Sequence, residues 1–121
     1  MDEQKQLIET AVKALDGKRA EDIRVIKITD LTIIADYFII ADGTSTTQVK
    51  ALADEIEYKV EEGMGRKPLR VQGHSSGWVV IDYGDIVIHV FYKEQRDFYK
   101  LERLWADGED IDISEYLVKE N

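Results

Sequence analysis

The chain contains no cysteine, one proline and two histidines. Without cysteine there is no disulfide framework, no thiolate zinc site and no thiol nucleophile. That composition suits a reducing compartment, and the cytoplasm is the expected location. The histidines, His74 and His89, lie in separate segments without short ligand spacing, so no metal site is expected. No apolar run approaches the ~18–20 residues that cross a bilayer, and no membrane attachment is expected. The opening stretch MDEQKQLIETAVKAL is acidic and amphipathic, without the basic flank and apolar run of a signal peptide. Positive charge is also short: 16 Lys and Arg stand against 25 Asp and Glu, a formal net charge of −9. Such a surface repels phosphate backbones and anionic lipid. The basic residues form no stripe interleaved with aromatics, so no sequence-specific nucleic-acid binding is expected. Solubility alone accounts for most acidic surfaces; where such a chain has a partner, a basic protein is the natural one.

What is present reads as one domain. The length of 121 residues, with 44% hydrophobic and 34% charged residues, is enough to bury about two-thirds of the unfolded surface in one core. Leu7, Ile8, Ala11, Val12 and Leu15 recur at helical spacing, with Gly17 where a C-cap belongs. DIRVIKIT (22–29) and ADYFIIAD (35–42) read as strands, the second apolar enough to be covered on both faces. In GTSTTQVKALADEIEYKVEEGMG, Ser45 and Gln48 have the spacing of a capping box. Val49, Leu52, Ala53, Ile56 and Val60 form an apolar stripe, and Gly63 and Gly65 end the helix. LRVQG (69–73) is a short strand after Pro68, and a strand–helix–strand passage predicts that it runs parallel to ADYFIIAD. EQRDFYKLERLW (94–105) places Phe98, Leu101, Leu104 and Trp105 on one helical face. The acidic tail after Trp105 is weakly patterned and reads as a loosely attached extension, dividing the chain into a domain over 1–106 and an extension over 107–121. The fold class is α/β: a single domain whose mixed sheet is flanked by helices, in the order α-β-β-α-β-β-β-α.

GWVVIDYGDIVIHVF (77–91) is the segment with candidate chemistry. With Gly84 and Asp85 as central turn residues, Tyr83 pairs with Ile86 and the register follows. Val79, Ile81, Tyr83, Ile86, Ile88 and Val90 share one plain core face. Trp78, Val80, Asp82, Val87, His89 and Phe91 share the other, with Trp78 opposite Phe91 and His89 diagonal to Asp82, within side-chain reach. An Asp–His pair makes a catalytic dyad only beside a nucleophile or a metal; the commoner role is a structural hydrogen bond or none. DGTS (42–45), between a strand and a helix, offers N–H groups to an anion. It completes neither phosphate-loop signature. It resembles the glycine-serine start of nucleotidyltransferases, but no D-x-D pair follows, since Asp82 and Asp85 straddle a turn where aspartate usually serves the backbone. Arg66, Lys67 and Arg70 form the densest basic cluster, most simply read as local salt bridges or a solvated loop. A sheet with helices for only one face leaves Trp78 and its neighbours for a partner, and tryptophan and tyrosine are favoured interface anchors.

DYFIIADGTS (36–45), GWVVIDYGDIVIHVF (77–91) and RDFYKLERLW (96–105), in that order and spacing, resemble the ribosomal silencing factor family, also called RsfS or Iojap. The likeness runs from about residue 3 to Trp105, departing at Gly77, where many relatives carry an acidic residue, and in the variable tail. The resemblance implies a nucleotidyltransferase-like fold without the catalytic aspartates, no enzyme activity and no cofactor. It implies binding to the large ribosomal subunit through ribosomal protein number fourteen. That binding hinders joining of the small subunit and represses translation, with a further role in large-subunit biogenesis and a homodimer when free. On the family match, Trp78, Asp82, His89 and, from the last helix, Tyr99 are the expected partner-binding residues. The alternatives are a nucleotide-binding or nucleotidyltransferase-like enzyme, and a structural dimer without a ribosomal partner.

Overall fold

The stripe from Leu7 to Leu15 folds as helix α1, Glu3–Gly17, and buries Leu7, Ile8, Ala11, Val12 and Leu15. In this computed structural model, which describes residues 3–73, 77–94 and 106–118, Gly17 is the last residue of the helix rather than its cap. The left-handed residue that redirects the chain is Arg19, at φ 66°. Strand β1, Glu21–Lys27, follows, then a loop into β2, Tyr37–Gly43, of which all but the first residue are buried.

Helix α2, Thr46–Met64, starts as its sequence predicts and with one refinement. The Ser45 hydroxyl accepts the Gln48 N–H at 3.0 Å. The returning bond goes one residue upstream, where Gln48 Oε1 accepts from the Thr44 backbone N–H at 2.6 Å. The Gln48 amide nitrogen then donates to the carbonyls of Lys18 and Arg19 at 3.1 and 3.3 Å. One side chain thus caps α2 and fastens it to the turn that follows α1. At the other end Gly65, at φ 66°, donates to the Glu61 carbonyl, a left-handed closure that only glycine adopts without strain.

Strands β3 (Arg70–Gln72), β4 (Trp78–Asp82) and β5 (Ile86–Tyr92) lead to β6 (Glu109–Asp110). The six strands lie in the order β3-β4-β5-β2-β1-β6. Only β2 and β5 pair in parallel; every other neighbouring pair is antiparallel. The sheet is mixed and the fold is α/β, as the sequence indicates. β2 and β3 do run the same way, but β4 and β5 stand between them, so the strand–helix–strand unit has no direct pairing. The reason is burial. β5 is apolar on both faces and takes the centre, whereas β3 is three residues long with Arg70 and Gln72 exposed, which suits an edge.

The buried residues of α1 and α2 all pack on one face of the sheet, with Val79, Ile81, Tyr83, Ile86, Ile88 and Val90 from the hairpin and Val25, Ile39 and Ala41 from β1 and β2. A second cluster occupies the other face: Ile26, Ile28, Ala35, Phe38, Ile40, Val87 and Phe91, with Trp78 and Val80 against it.

The helix read over 94–105, with Tyr99, lies outside the described residues from Gln95 on, as does His74. The acidic tail is better attached than its pattern suggests. Glu109 and Asp110 pair with Lys27 and Ile26, Ile111 N–H donates to the Val25 carbonyl at 2.8 Å, and Val118 N–H reaches Asp16 at 2.8 Å. Ile113, 8% exposed, enters the core beneath the helices. A single buried anchor was invisible because charged neighbours diluted its period. Ile113→Ala should cost about 2 kcal/mol, the low end for truncating a buried aliphatic side chain. Urea unfolding measures it, and a loss under about 0.5 kcal/mol, the level of an ordinary surface substitution, would show the tail to be loose after all.

Candidate docking surface

The hairpin closes as its register requires. Tyr83 N–H donates to the Ile86 carbonyl at 2.9 Å, and Gly84 holds φ 94° between them, a conformation that strains any side chain. Both turn carboxylates serve structure. Asp82 Oδ1 accepts the Gly84 N–H at 2.7 Å, an Asx turn. Asp85 Oδ1 accepts from Arg66 Nη2 at 2.6 Å, and the same nitrogen donates to the Tyr83 carbonyl at 2.7 Å. Gln4 from α1 donates to both Asp36 and Asp85 at 2.6 and 3.2 Å. Arg66, Lys67 and Arg70 each face a carboxylate, those of Asp85, Glu61 and Asp82, as the salt-bridge reading expects. No group of three or more His, Asp or Glu side chains that could hold a metal occurs among the described residues.

The anion cradle suggested by DGTS is partly filled from within. Thr44 N–H is held by Gln48, and Gln48 N–H by Ser45. A Cβ on Gly43 would come within 3.0 Å of the Val49 side chain and 3.2 Å of its backbone nitrogen, so the turn is packed against the helix it precedes.

On the face away from α1 and α2, the register is the expected one: Trp78 opposite Phe91, Val80 opposite His89, Asp82 opposite Val87. His89 therefore has two diagonal neighbours, Asp82 and Trp78. It bonds to the tryptophan. The Trp78 indole N–H donates to His89 Nδ1 at 3.1 Å. Phe38 meets the imidazole edge-on at 4.6 Å between centroids, and Phe91 stacks on Trp78 at 5.1 Å. An accepting Nδ1 places the proton on Nε2, which is buried and has no hydrogen-bond partner among the described residues. Burial in this apolar box lowers the His89 pKa from 6.5 to about 4.

The four expected partner-binding residues therefore have different places. His89, 6% exposed, and its neighbour Phe91, fully buried, belong to the core. Trp78 and Asp82 are half-buried on β4. Tyr99 lies outside the described residues. Among the described residues, the part of this face that β4 leaves half-exposed is Trp78, Val80 and Asp82, continued on β3 by Gln72 opposite Val80 and Arg70 opposite Asp82. Arg70 Nε stands 3.9 Å from Asp82 Oδ2. The sequence carried a signal for Arg70 and Gln72: alternation within LRVQG puts both on the face opposite Val71.

The sequence matches the family described as ribosomal silencing factor during starvation, RsfS, over residues 1–121. The chain belongs to the RsfS family. It is 40% identical over 111 residues to a ribosomal silencing factor of Bacillus subtilis, covering 91% of this chain and 93% of that one. A mouse protein named for mitochondrial assembly of the ribosomal large subunit is 33% identical over 102 residues, covering 82% of this chain and 45% of its own length. Among solved structures, a protein from Chromobacterium violaceum superposes with a TM-score of 0.82 at 36% identity, covering 88% of each chain. The RsfS family is thus shown by sequence and by fold together.

The buried imidazole gives this RsfS member a pH signature. His89 binds its second proton near pH 6.5 when unfolded and near pH 4 when folded. Between those values the unfolded state holds more protons, so stability rises with pH there and is lost as pH falls from about 6.5 through 4. The lost stability amounts to about 3 kcal/mol at most. Unfolding curves across pH 4–7 should show this slope, and His89→Leu should remove it. Parallel curves for the two proteins would mean that the imidazole titrates normally.

Proposed function

We propose that this chain binds the large ribosomal subunit and hinders joining of the small subunit, repressing translation without chemistry of its own. The observation that carries the reading is the strip on β4: a half-exposed tryptophan fixed on a rigid sheet, beside a carboxylate and an arginine, in a member of the RsfS family. Trp78 supplies the apolar anchor, and Asp82 and Arg70 supply a polar rim. Rigid aromatic side chains with a polar margin are what protein interfaces concentrate their energy on.

Ribosomal protein number fourteen is the contact that the family resemblance implies. A net charge of −9 would steer the chain toward a basic ribosomal protein and speed encounter. Obstruction then needs only a body in the space the small subunit must enter. A contribution to large-subunit biogenesis uses the same contact, and the mouse relative's name points to that process. We place docking within residues 1–106 and the free protein in the cytoplasm as a homodimer. The DGTS turn gives the nucleotidyltransferase reading little support, since the Thr44 N–H is already bonded to Gln48 and the Ser45 hydroxyl is taken up in capping the helix.

Two measurements check this. The protein should co-sediment with large subunits at low salt, and Trp78→Ala should weaken that association roughly tenfold or more, as loss of a central aromatic anchor does, while melting remains cooperative. Intact wild-type protein found only at the top of the gradient would overturn the reading. Millimolar nucleotide with magnesium should leave the melting temperature unchanged; a rise would show binding through linkage and revive the enzyme alternative.

A further inference from the structure

His89 is the polar ring among the aromatics of the second face, where, among the described residues, Asp42 beside Phe91 is the other buried polar side chain. Leucine, methionine or phenylalanine would fill the place of the histidine without burying a donor. A buried Nε2–H with no bond among the described residues is a desolvation cost, and such a group calls for a reason. The reason lies at the other nitrogen. Nδ1 accepts the indole N–H of Trp78 at 3.1 Å, and no aliphatic or phenyl side chain can do so.

The surroundings make this bond directional. The imidazole is clamped edge-on by Phe38 at 4.6 Å and lies nearly parallel to Phe91, 11° between planes at 6.2 Å. It cannot rotate to follow a moving indole. Trp78 is in turn stacked on Phe91 at 5.1 Å and 23°. Stacking alone leaves a tryptophan two ring orientations, related by a flip that carries the N–H to the other side. The His89 bond selects one of them. From these contacts we infer that His89 is a positioning residue: it never meets the partner, and it holds the Trp78 indole in the one orientation in which the tryptophan docks.

This rests on the reading of Trp78 as the docking anchor. A side chain fixed in advance loses less freedom on binding, and releasing one costs about 3- to 10-fold in affinity. The deciding comparison is His89→Leu against His89→Asn. Asparagine places an acceptor oxygen where Nδ1 stands; leucine fills the space and accepts nothing. Binding to large subunits should weaken about 3- to 10-fold in His89→Leu and stay within about twofold of wild type in His89→Asn. In a Trp105→Phe background, the emission of Trp78 should shift in His89→Leu and return in His89→Asn, a response that mere packing would not give.

The failures are distinguishable. If Trp78→Ala binds as wild type does, the docking reading falls whatever His89 does. If Trp78→Ala weakens binding and His89→Leu does not, the positioning role is overturned. It is equally overturned if both His89 variants weaken binding alike. Should His89→Leu not fold, hydrogen exchange of the Trp78 indole N–H in the unmodified chain decides. Slow exchange supports the bond, and exchange as fast as that of a free indole overturns it.

Discussion

The architecture depends on β5 being buried on both faces and paired on both sides. IVIHVFY is the strand around which everything else is arranged, with β4 antiparallel on one side and β2 parallel on the other. A strand of this kind must be covered twice. Helices α1 and α2 satisfy one face with aliphatic side chains. On the other face, Phe38, Trp78 and Phe91 lie around an imidazole. The histidine is tolerated there because burial keeps it neutral and the indole N–H satisfies one nitrogen.

Much of this was legible before any coordinate. Period-2 alternation with a glycine turn fixed the hairpin register through to Trp78 opposite Phe91, and helical spacing with a serine cap fixed α2. The side-chain choice at His89 was not legible, for a physical reason. Register places Asp82 and Trp78 symmetrically, one on each diagonal of the same histidine. It does not say which has a free donor or what each would lose. Asp82 sits at the turn, where the Gly84 N–H and Arg70 already hold it, and moving its carboxylate against a dry ring would strip it of water. Trp78 brings a donor and an apolar body, so the bond goes there. The same logic explains Gln48: spacing located the cap, but only the fold brings Lys18 and Arg19 within reach of its amide.

The two edges of the sheet are handled differently. β3 ends it with three residues carrying exposed Arg70 and Gln72. β6 ends it with two acidic residues contributed by the tail. Short, charged edges discourage pairing with another sheet, and acidic residues along β6 add repulsion between copies of this chain. Any self-association would therefore be expected to use side-chain surfaces rather than sheet extension.

The strip on β4 has a consequence for how a partner would be held. Trp78 and Asp82 lie on one short strand, and both are braced from behind: the tryptophan by His89, the aspartate by its own turn and by Arg70. Neither needs to reorganise for a partner to approach. An acidic chain gains encounter rate from its charge, but long-range attraction is screened by salt and does not by itself keep a complex together. Persistence has to come from the apolar contact. On the proposed docking reading, electrostatics and the aromatic anchor would divide the work, association to the first and residence to the second. On that reading, the interior of the second face would then set how long the complex lasts.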